Sequence, residues 1–348
     1  MITELRVKNF RGIKEGEIEL APLTILLGGN NSGKSTILEA LFLAPNPLRK
    51  VPYVCGPKNN AVEVIHEMHR TLSSLGYIFL LYNYTAKQAE IGCKVDSNDY
   101  LLQFITLPGP WILVTTNKEV GVGASVVIDN KKVLVHRLGH ILASSQDQIT
   151  DLEEKIIENT LLISSKLVQM AYKYLEENWA SIINLGIGKK VAKDVSGLIY
   201  DKYENLTIEP FLGRGQLAIY GFLEDGRRIR LGDLGEGVQS YIIAKILYEL
   251  ENPKVLLWDD IEAHFNPRML LSIAEWFYDI LEKGDQVIVT THSLEAARTI
   301  AGVNEEKAAI YLTSLENGTL KTRRLTLKDI EEYLEAGIDV RVAEPILL

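Results

Sequence analysis

The sequence predicts an α/β protein, in which parallel strands alternate with crossover helices. The alternation is clearest in the last third of the chain, where apolar runs at 255–258 and 287–290 are each followed by a segment with helical spacing. Near the start, an apolar run at 23–27 leads through a glycine-rich loop into another helical segment at 35–43. A chain of 348 residues is therefore expected to form one large domain or two intimate lobes.

The middle of the chain departs from this alternation. Short apolar runs separated by turn residues predict a β-rich subdomain between residues 77 and 136. Its expected strands are 77–84, 91–95, 100–107, 111–116 and 125–135. From about residue 146 the spacing becomes helical and predicts an amphipathic helix pair. The apolar face of that pair begins with Ile149, Leu152, Ile156, Ile163 and Leu167.

These patterns divide the chain into three expected parts. Residues 1–145 hold the first strands, the glycine-rich loop and the β-rich subdomain, and residues 146–206 form a helical insertion. Residues 207–348 complete the main domain with the strand–helix units and with two hairpins. Thr326 and Asp329 have the spacing of a capping box, which predicts a last short helix.

Composition narrows the possible functions. The chain has 46 acidic and 37 basic residues, a formal charge of −9, whereas a protein that coats nucleic-acid phosphates usually carries a basic surplus. Cys55 and Cys93 lack the paired spacing of a disulfide framework or a zinc site. No run approaches the roughly 18 apolar residues of a membrane span, and the first residues look like a strand. We therefore expect a cytoplasmic protein that makes no use of a membrane.

The loop at 28–35 matches the pattern G-x-x-x-x-G-K-[ST] at every fixed position. Its glycines allow backbone N–H groups to surround a phosphate, and the helix that follows presents its positive end to the same anion. Lys34 supplies a charge to the β- and γ-phosphates, and the Ser35 hydroxyl is a natural Mg²⁺ ligand. The predicted ATP-binding residues of this P-loop are Gly28, Asn30, Asn31, Ser32, Gly33, Lys34, Ser35 and Thr36. The sequence thus predicts a P-loop NTPase.

Two later strands end in residues that suit the other half of such a site. The apolar run at 255–258 is followed by Asp259, a candidate Mg²⁺ ligand, and by Asp260, a candidate base for the attacking water. The run at 287–290 is followed closely by His292, which is placed to contact the γ-phosphate. The alternatives are a strand that ends in two solvated acids and a structural histidine.

A second glycine-rich segment, at 231–240, precedes a helix. The backbone N–H groups at such a helix start can bind an anion, as those of the P-loop can. Gly235 and Gly237 are therefore candidate ligands of a nucleotide. Because the P-loop already supplies one phosphate cradle, this second helix start is useful if it faces the nucleotide of another subunit. A tight exit from the preceding hairpin explains the same glycines equally well.

The order and spacing of these motifs resemble the ABC-type ATPases of the SMC, RecF and OLD group. The similar segments are Leu5–Arg11, the P-loop, Leu234–Gln239 as signature motif, Asp259–Pro267 as Walker B and D-loop, and Thr291–Ser293 as switch histidine. The resemblance implies an ABC-ATPase head with a β-rich lobe I and a helical insertion lobe II. It also implies an ATP-dependent homodimer, in which each ATP lies between one P-loop and the signature motif of the other copy.

The resemblance assigns two further nucleotide-binding residues and shows two departures. By position, Arg11 resembles the nucleotide-sensing arginine of the group, and Gln146 lies where its Q-loop glutamine is expected, with Gln148 as the alternative. The group usually has Glu at the position of Asp260 and a serine in the signature motif, where this chain has Gly232 and Gly235. The shorter Asp260 side chain is expected to hold the attacking water less well and to slow hydrolysis.

The same resemblance frames the expected partners. OLD nucleases carry a metal-binding Toprim domain after the ATPase, and the stretch that follows Ser293 shows no sign of one. A separate nuclease or toxin, in antiviral defence or genome maintenance, is therefore the expected recipient of the conformational change. The alternatives are a RecF-like clamp that binds DNA when ATP is present and a slowly hydrolysing nucleotide switch.

Overall fold

The computed structural model describes residues 1–47, 49–53, 60–72, 77–107, 111–117, 134–137, 140–143, 157–199, 201–211 and 217–348. The strands are β1 Ile2–Phe10, β2 Ile13–Glu19, β3 Leu23–Leu27, β4 Gln88–Val95, β5 Asn98–Leu107, β6 Trp111–Asn117, β7 Leu134–Arg137, β8 His140–Ala143, β9 Thr160–Ile163, β10 Tyr203–Pro210, β11 Leu217–Leu223, β12 Arg228–Arg230, β13 Val255–Trp258, β14 Gln286–Thr291, β15 Ala308–Glu316 and β16 Thr319–Leu325. The helices are α1 Lys34–Leu43, α2 Ala61–His69, α3 Ser165–Met170, α4 Tyr172–Glu177, α5 Trp179–Asn184, α6 Ile187–Leu198, α7 Glu236–Glu251, α8 Pro267–Glu282, α9 Leu294–Val303, α10 Leu327–Glu335 and α11 Glu344–Leu347.

One large sheet organises the described part of the chain. Its strand order is β8-β7-β6-β5-β4-β1-β2-β16-β15-β3-β14-β13-β9. The strands β15, β3, β14, β13 and β9 run parallel to one another, while those from β8 to β2 pair in antiparallel fashion. The structure therefore confirms the predicted α/β fold, with a parallel core beside a β-rich antiparallel extension.

The parallel core explains the short apolar runs of the sequence. β3, β13 and β14 are buried at every position, as expected for strands covered by helices on both faces. β14 lies between the other two, with Thr291 opposite Leu27 and Val289 opposite Trp258. Because all three strands run in the same direction, the loops that follow their carboxyl ends meet at one edge of the sheet.

Two predictions of local structure were wrong. The run at 77–84 forms two short 3-10 helices, Ile78–Leu80 and Tyr82–Tyr84, because Asn83 and Tyr84 have positive φ angles of 50° and 60° that an extended strand does not allow. Ile163, expected on a helical face, belongs to β9, which pairs in parallel with β13. Helical spacing cannot separate a buried strand that leads into a helix from one longer helix. The expected elements at 125–135 and 146–156 lie largely outside the described residues.

A smaller layer follows β9. The helices α3 to α6 lead to a three-stranded antiparallel sheet in the order β10-β11-β12. The predicted hairpin turn is present, since the Leu223 N–H donates to the Arg227 carbonyl (2.9 Å) and Gly226 has a φ of 80°. The predicted capping box at Thr326 and Asp329 is also present, at the start of α10.

Aromatic packing ties the signature helix α7 to the core. Trp276 of α8 packs edge-on against Tyr241 of α7 and against Trp258 at the end of β13. Lys245 of α7 is buried above the Trp276 ring and donates to Asp194 of α6 at 2.7 Å. The start of α7 is thereby held in a defined place relative to the end of β13. Among the described residues, none of the helices has both the length and the apolar character that crossing a membrane requires.

Candidate nucleotide-binding site

The P-loop connects the carboxyl end of β3 to the start of α1 and is packed against β15. A Cβ on Gly28 would lie 2.5 Å from the Thr313 carbonyl oxygen and 2.8 Å from Ser32 Oγ, so this position requires glycine. The Thr313 hydroxyl lies within hydrogen-bond distance of the Leu27 carbonyl oxygen (3.2 Å) and of Ser32 Oγ (3.1 Å). Gly33, the residue before α1, has a φ of 88° that favours glycine. The loop is held in place by the strand beside it.

The Lys34 ammonium group lies inside this loop. The side chain is buried, and Nζ donates to the carbonyl oxygens of Gly28 (3.0 Å) and Gly29 (2.8 Å). Nζ also lies 3.4 Å from Nδ1 of His292, which joins the end of β14 to the P-loop. These backbone contacts place the positive charge where the β- and γ-phosphates of a nucleotide are expected.

Ser35 and Asp259 meet across the sheet edge. Ser35 Oγ donates to Asp259 Oδ1 at 3.0 Å, and the Thr290 hydroxyl donates to the same oxygen at 2.7 Å. Hydroxyl and carboxylate oxygens are the ligands that Mg²⁺ prefers. The two residues predicted to hold the metal thus fit that ion in kind and in proximity.

Asp260 and His292 lie beside the Lys34 ammonium group. The Asp260 backbone has a φ of 51°, and its N–H donates to Thr290 Oγ1 at 2.8 Å. Asp260 Oδ1 lies 3.5 Å from Nε2 of His292. Burial, followed by the nearby charge of Asp259, raises the pKa of the Asp260 carboxyl above its ordinary value. This partly exposed pair lies beside the P-loop cation Lys34.

Arg11 forms a partly exposed ionic cluster with the P-loop helix, in which Glu39 is buried. Its guanidinium group pairs with Glu39, one helical turn beyond Ser35, and contacts Nε2 of His69 at 3.0 Å. Burial lowers the pKa of Arg11 to about 10, and burial together with the Arg11 charge lowers that of His69 to about 4. His69 is therefore neutral at pH 7, and Arg11 carries the positive charge of the cluster. A cavity of about 620 Å³, lined also by Phe79 and Tyr84, opens beside Arg11.

The two glycines of the signature segment have different surroundings. Gly235 immediately precedes α7, is exposed, and has nothing within 4 Å of a Cβ built on it. Gly237 is buried, and a Cβ there would lie 2.3 Å from the backbone oxygen of His264. Gly237 therefore serves close packing against the segment after β13, a reason that its spacing in the sequence did not reveal. Gln146 lies outside the described residues.

The predicted P-loop residues occupy the loop and the first turn of α1. Asn30 and Asn31 are exposed at its tip, Ser32 and Lys34 are buried, and Thr36 is half-buried. Three residues that contact the predicted site lie outside its sequence motifs: Thr290, Thr313 and Glu39. The usable signal for the two threonines was a polar residue within an otherwise apolar core strand, because such a hydroxyl needs a partner.

Comparisons with known proteins agree with this geometry. A family described as "AAA ATPase domain" matches residues 1–107, and one described as "AAA domain, putative AbiEii toxin, Type IV TA system" matches residues 138–297. An ATP/GTP phosphatase of Helicobacter pylori is 21% identical over 90% of this chain and 91% of its own length. The Old nuclease of Escherichia phage P2 is 24% identical over 95% of this chain, which spans 62% of the nuclease.

Solved structures of SMC heads share the fold. An SMC head bound to the C-terminal winged-helix domain of ScpA gives a TM-score of 0.54 at 15% identity, and the match covers 95% of this chain and 99% of that chain. An Smc head with an extended coiled coil, bound to the C-terminal domain of ScpA from Pyrococcus furiosus, gives 0.51 at 13% identity, with coverage of 97% and 99%.

The fold, with a P-loop at the edge of its parallel strands, resembles that of ABC-type P-loop ATPase domains. The domain matches, the similar curated proteins and the SMC-head fold together make the chain similar to SMC/OLD-like ATPases.

Proposed function

We propose that this protein binds and hydrolyses Mg-ATP at the edge formed by β3, β13 and β14. The observation that carries the proposal is the convergence of five predicted residues from three loops. Lys34 contacts His292, Ser35 contacts Asp259, and Asp260 lies beside His292. Phosphoryl transfer to water needs a cation on the phosphates, a metal site and an acceptor for the water proton, and this arrangement supplies a residue for each.

Each residue has a role that follows from its contacts. Lys34 exchanges its bonds with the loop carbonyl oxygens for bonds with the β- and γ-phosphates. Ser35 and Asp259 would hold Mg²⁺, which would neutralise charge on the phosphates. Asp260 accepts a proton from the attacking water, and His292 orients the water or the γ-phosphate.

The cavity beside Arg11 extends this site. Arg11 lies in the turn after β1 and pairs with Glu39 of the P-loop helix, and we assign the cavity beside it to the ribose and base of a nucleotide held on the loop. Phe79 and Tyr84 offer aromatic surface to a base. We therefore assign Arg11 to nucleotide binding.

The exposed start of α7 supports dimerisation on ATP. Gly235 and Glu236 face outwards, and the free N–H groups of a helix start attract an anion. We propose that the γ-phosphate held by one protomer is this anion for the α7 of a second protomer. ATP then favours the paired state and hydrolysis releases it.

The output that we propose is a conformational change passed to a nuclease or toxin in antiviral defence or genome maintenance. One similar protein is named a nuclease, and one domain match carries a toxin–antitoxin description. The net charge of −9 favours a protein partner over nucleic acid as the direct recipient.

A second candidate, a nucleotide switch that hydrolyses slowly, is favoured by Asp260. The carboxylate is one methylene shorter than the glutamate of similar ATPases, and its nearest oxygen stays 3.5 Å from His292. In that case the long-lived ATP-bound dimer is itself the output.

The test is the Asp260→Asn variant, which removes the base and keeps the shape. We expect ATP binding to persist, phosphate release to fall at least about 100-fold, and a dimer to accumulate with ATP in light-scattering chromatography. Wild-type turnover in this variant contradicts the role of Asp260, and a monomer in both proteins contradicts the dimer. A single-turnover measurement on the wild-type dimer distinguishes an ATP-hydrolysing enzyme from a slow nucleotide switch. Binding of DNA that requires ATP and weakens with salt would favour the RecF-like DNA clamp instead.

A further inference from the structure

The backbone of His292 is held on both sides by charged side chains from distant segments. Its N–H donates to Glu262 Oε1 at 2.6 Å, and its carbonyl oxygen accepts from Arg341 Nη1 at 2.8 Å. Glu262 follows the Asp259–Asp260 pair, whereas Arg341 lies 49 residues beyond His292. A histidine that must contact the γ-phosphate or its water needs a defined backbone position, and these two bonds define it.

We call these two bonds the His292 clamp. Glu262 forms its inner side. Its Oε1 receives the short bond from His292, while its Oε2 is buried with no hydrogen-bond partner among the described residues. A buried carboxylate oxygen without a partner costs free energy, so this side chain is poorly explained as packing alone. Glu262 also acts electrostatically on Asp260, which places its charge close to the reacting groups.

Arg341 forms the outer side of the clamp. Asp339 accepts from Arg341 Nε at 2.9 Å and from its Nη2 at 2.5 Å, which fixes the plane of the guanidinium group. Val340 between them is fully buried and anchors the segment to the protein. Because Arg341 and Asp339 are each about one-third exposed, solvent screens their attraction, and the contact with His292 is more easily broken than that of Glu262.

We propose that Glu262 and Arg341 are positioning residues that fix the backbone of the switch histidine, His292. Through Arg341, the rate of ATP hydrolysis depends on whether residues 339–341 stay in place. The proposal rests on the proposed ATPase function. Glu262 holds the N–H side of His292 permanently, and Arg341 holds the carbonyl side only while residues 339–341 stay docked. Any partner that displaces this segment slows hydrolysis without touching the nucleotide.

The test compares five variants, one of them a matched control, with the wild type. Glu262→Ala removes the acceptor for the His292 N–H, and we expect kcat to fall about tenfold with KM for ATP unchanged. Glu262→Gln keeps an acceptor oxygen, so its kcat is expected to stay within about twofold of wild type. Arg341→Ala is expected to lower kcat about threefold, and Arg341→Lys to restore part of that loss. Arg298→Ala, which removes an exposed arginine paired with Glu331, is the matched control and leaves kcat unchanged.

Amide hydrogen exchange over residues 287–294 gives a second measurement that does not depend on turnover. We expect faster exchange in Glu262→Ala and Arg341→Ala than in Arg298→Ala. A wild-type kcat in both alanine variants, or a loss confined to KM, overturns the proposal. If Glu262→Ala does not fold, Arg341→Ala and Glu262→Gln still decide the question. Absence of ATP hydrolysis in the wild type, by contrast, contradicts the proposed function, and the exchange experiment still tests the clamp.

Discussion

The P-loop and the signature segment are both glycine-rich helix starts, yet they are built differently. In the P-loop, Gly28 is enclosed by Thr313 and Ser32, and Lys34 is satisfied by backbone oxygens of its own loop. In the signature segment, Gly235 is exposed and has empty space where a side chain would be. The P-loop is therefore preorganised by contacts within one chain. The signature segment is exposed, so a second molecule has access to the start of α7.

The connection between the two regions runs through the segment after β13. Gly237 packs against the backbone of His264, and the His264 ring pairs with Glu236 at 2.8 Å. The same segment carries Asp259 and Asp260 at its start and Glu262 in its middle. Asp260 is thus connected to the start of α7 by four residues of chain to His264 and by the contacts of His264 with Gly237 and Glu236. The comparison predicts a large loss of ATP affinity when the P-loop is changed. In the signature segment it predicts a loss of stability at Gly237 and a loss of dimerisation at Gly235.

The largest effect is expected for Lys34→Ala. This change removes the buried cation of the P-loop, so ATP affinity is expected to fall at least about 100-fold while the protein stays folded. Isothermal titration with ATP and Mg²⁺ measures the loss, and thermal unfolding checks the fold. The control is Lys328→Ala, which removes a strongly exposed lysine. Affinity within threefold of wild type would show that the loop does not hold the phosphates as proposed.

The next largest effects are expected for alanine variants of the two signature glycines, Gly235 and Gly237. Comparing the two variants distinguishes a role in packing from a role in contact with a partner. Gly237→Ala places a Cβ against the His264 oxygen and is expected to lower the free energy of unfolding by about 1–3 kcal/mol. Gly235→Ala meets no atom within the chain and is expected to cost less than about 1 kcal/mol, but to weaken the ATP-dependent dimer. Chemical denaturation and light scattering measure the two quantities. Equal stability losses in both variants would remove the distinction between the enclosed and the open glycine.

Much of this contrast was readable from the sequence, because the P-loop motif and the strand ends depend on local patterns. The bounds of β3 and β13 and the meeting of Ser35 with Asp259 followed from an apolar run, a carboxylate and the parallel direction of the strands. The burial of Gly237 did not follow, because it depends on a backbone 27 residues away in sequence. The clamp on His292 was missed for the same reason, since Arg341 reaches it through folding alone. β9 was mistaken for helix because its four residues fit either period.

The smallest expected effect concerns the length of one side chain. Asp260→Glu restores the residue that similar ATPases have, and its carboxylate reaches one methylene further towards the attacking water. We expect kcat to rise about two- to fivefold with the ATP affinity unchanged, because the phosphate and metal contacts of Lys34 and Asp259 are not altered. The gain is limited by the positive φ of residue 260, which glutamate adopts less readily than aspartate. Phosphate release under saturating ATP measures it, and Asp260→Asn in the same assay sets the floor. A rate equal to that of Asp260→Asn would mean that the pocket accommodates aspartate and not glutamate. The length of the residue 260 side chain would then not be what limits the rate of hydrolysis.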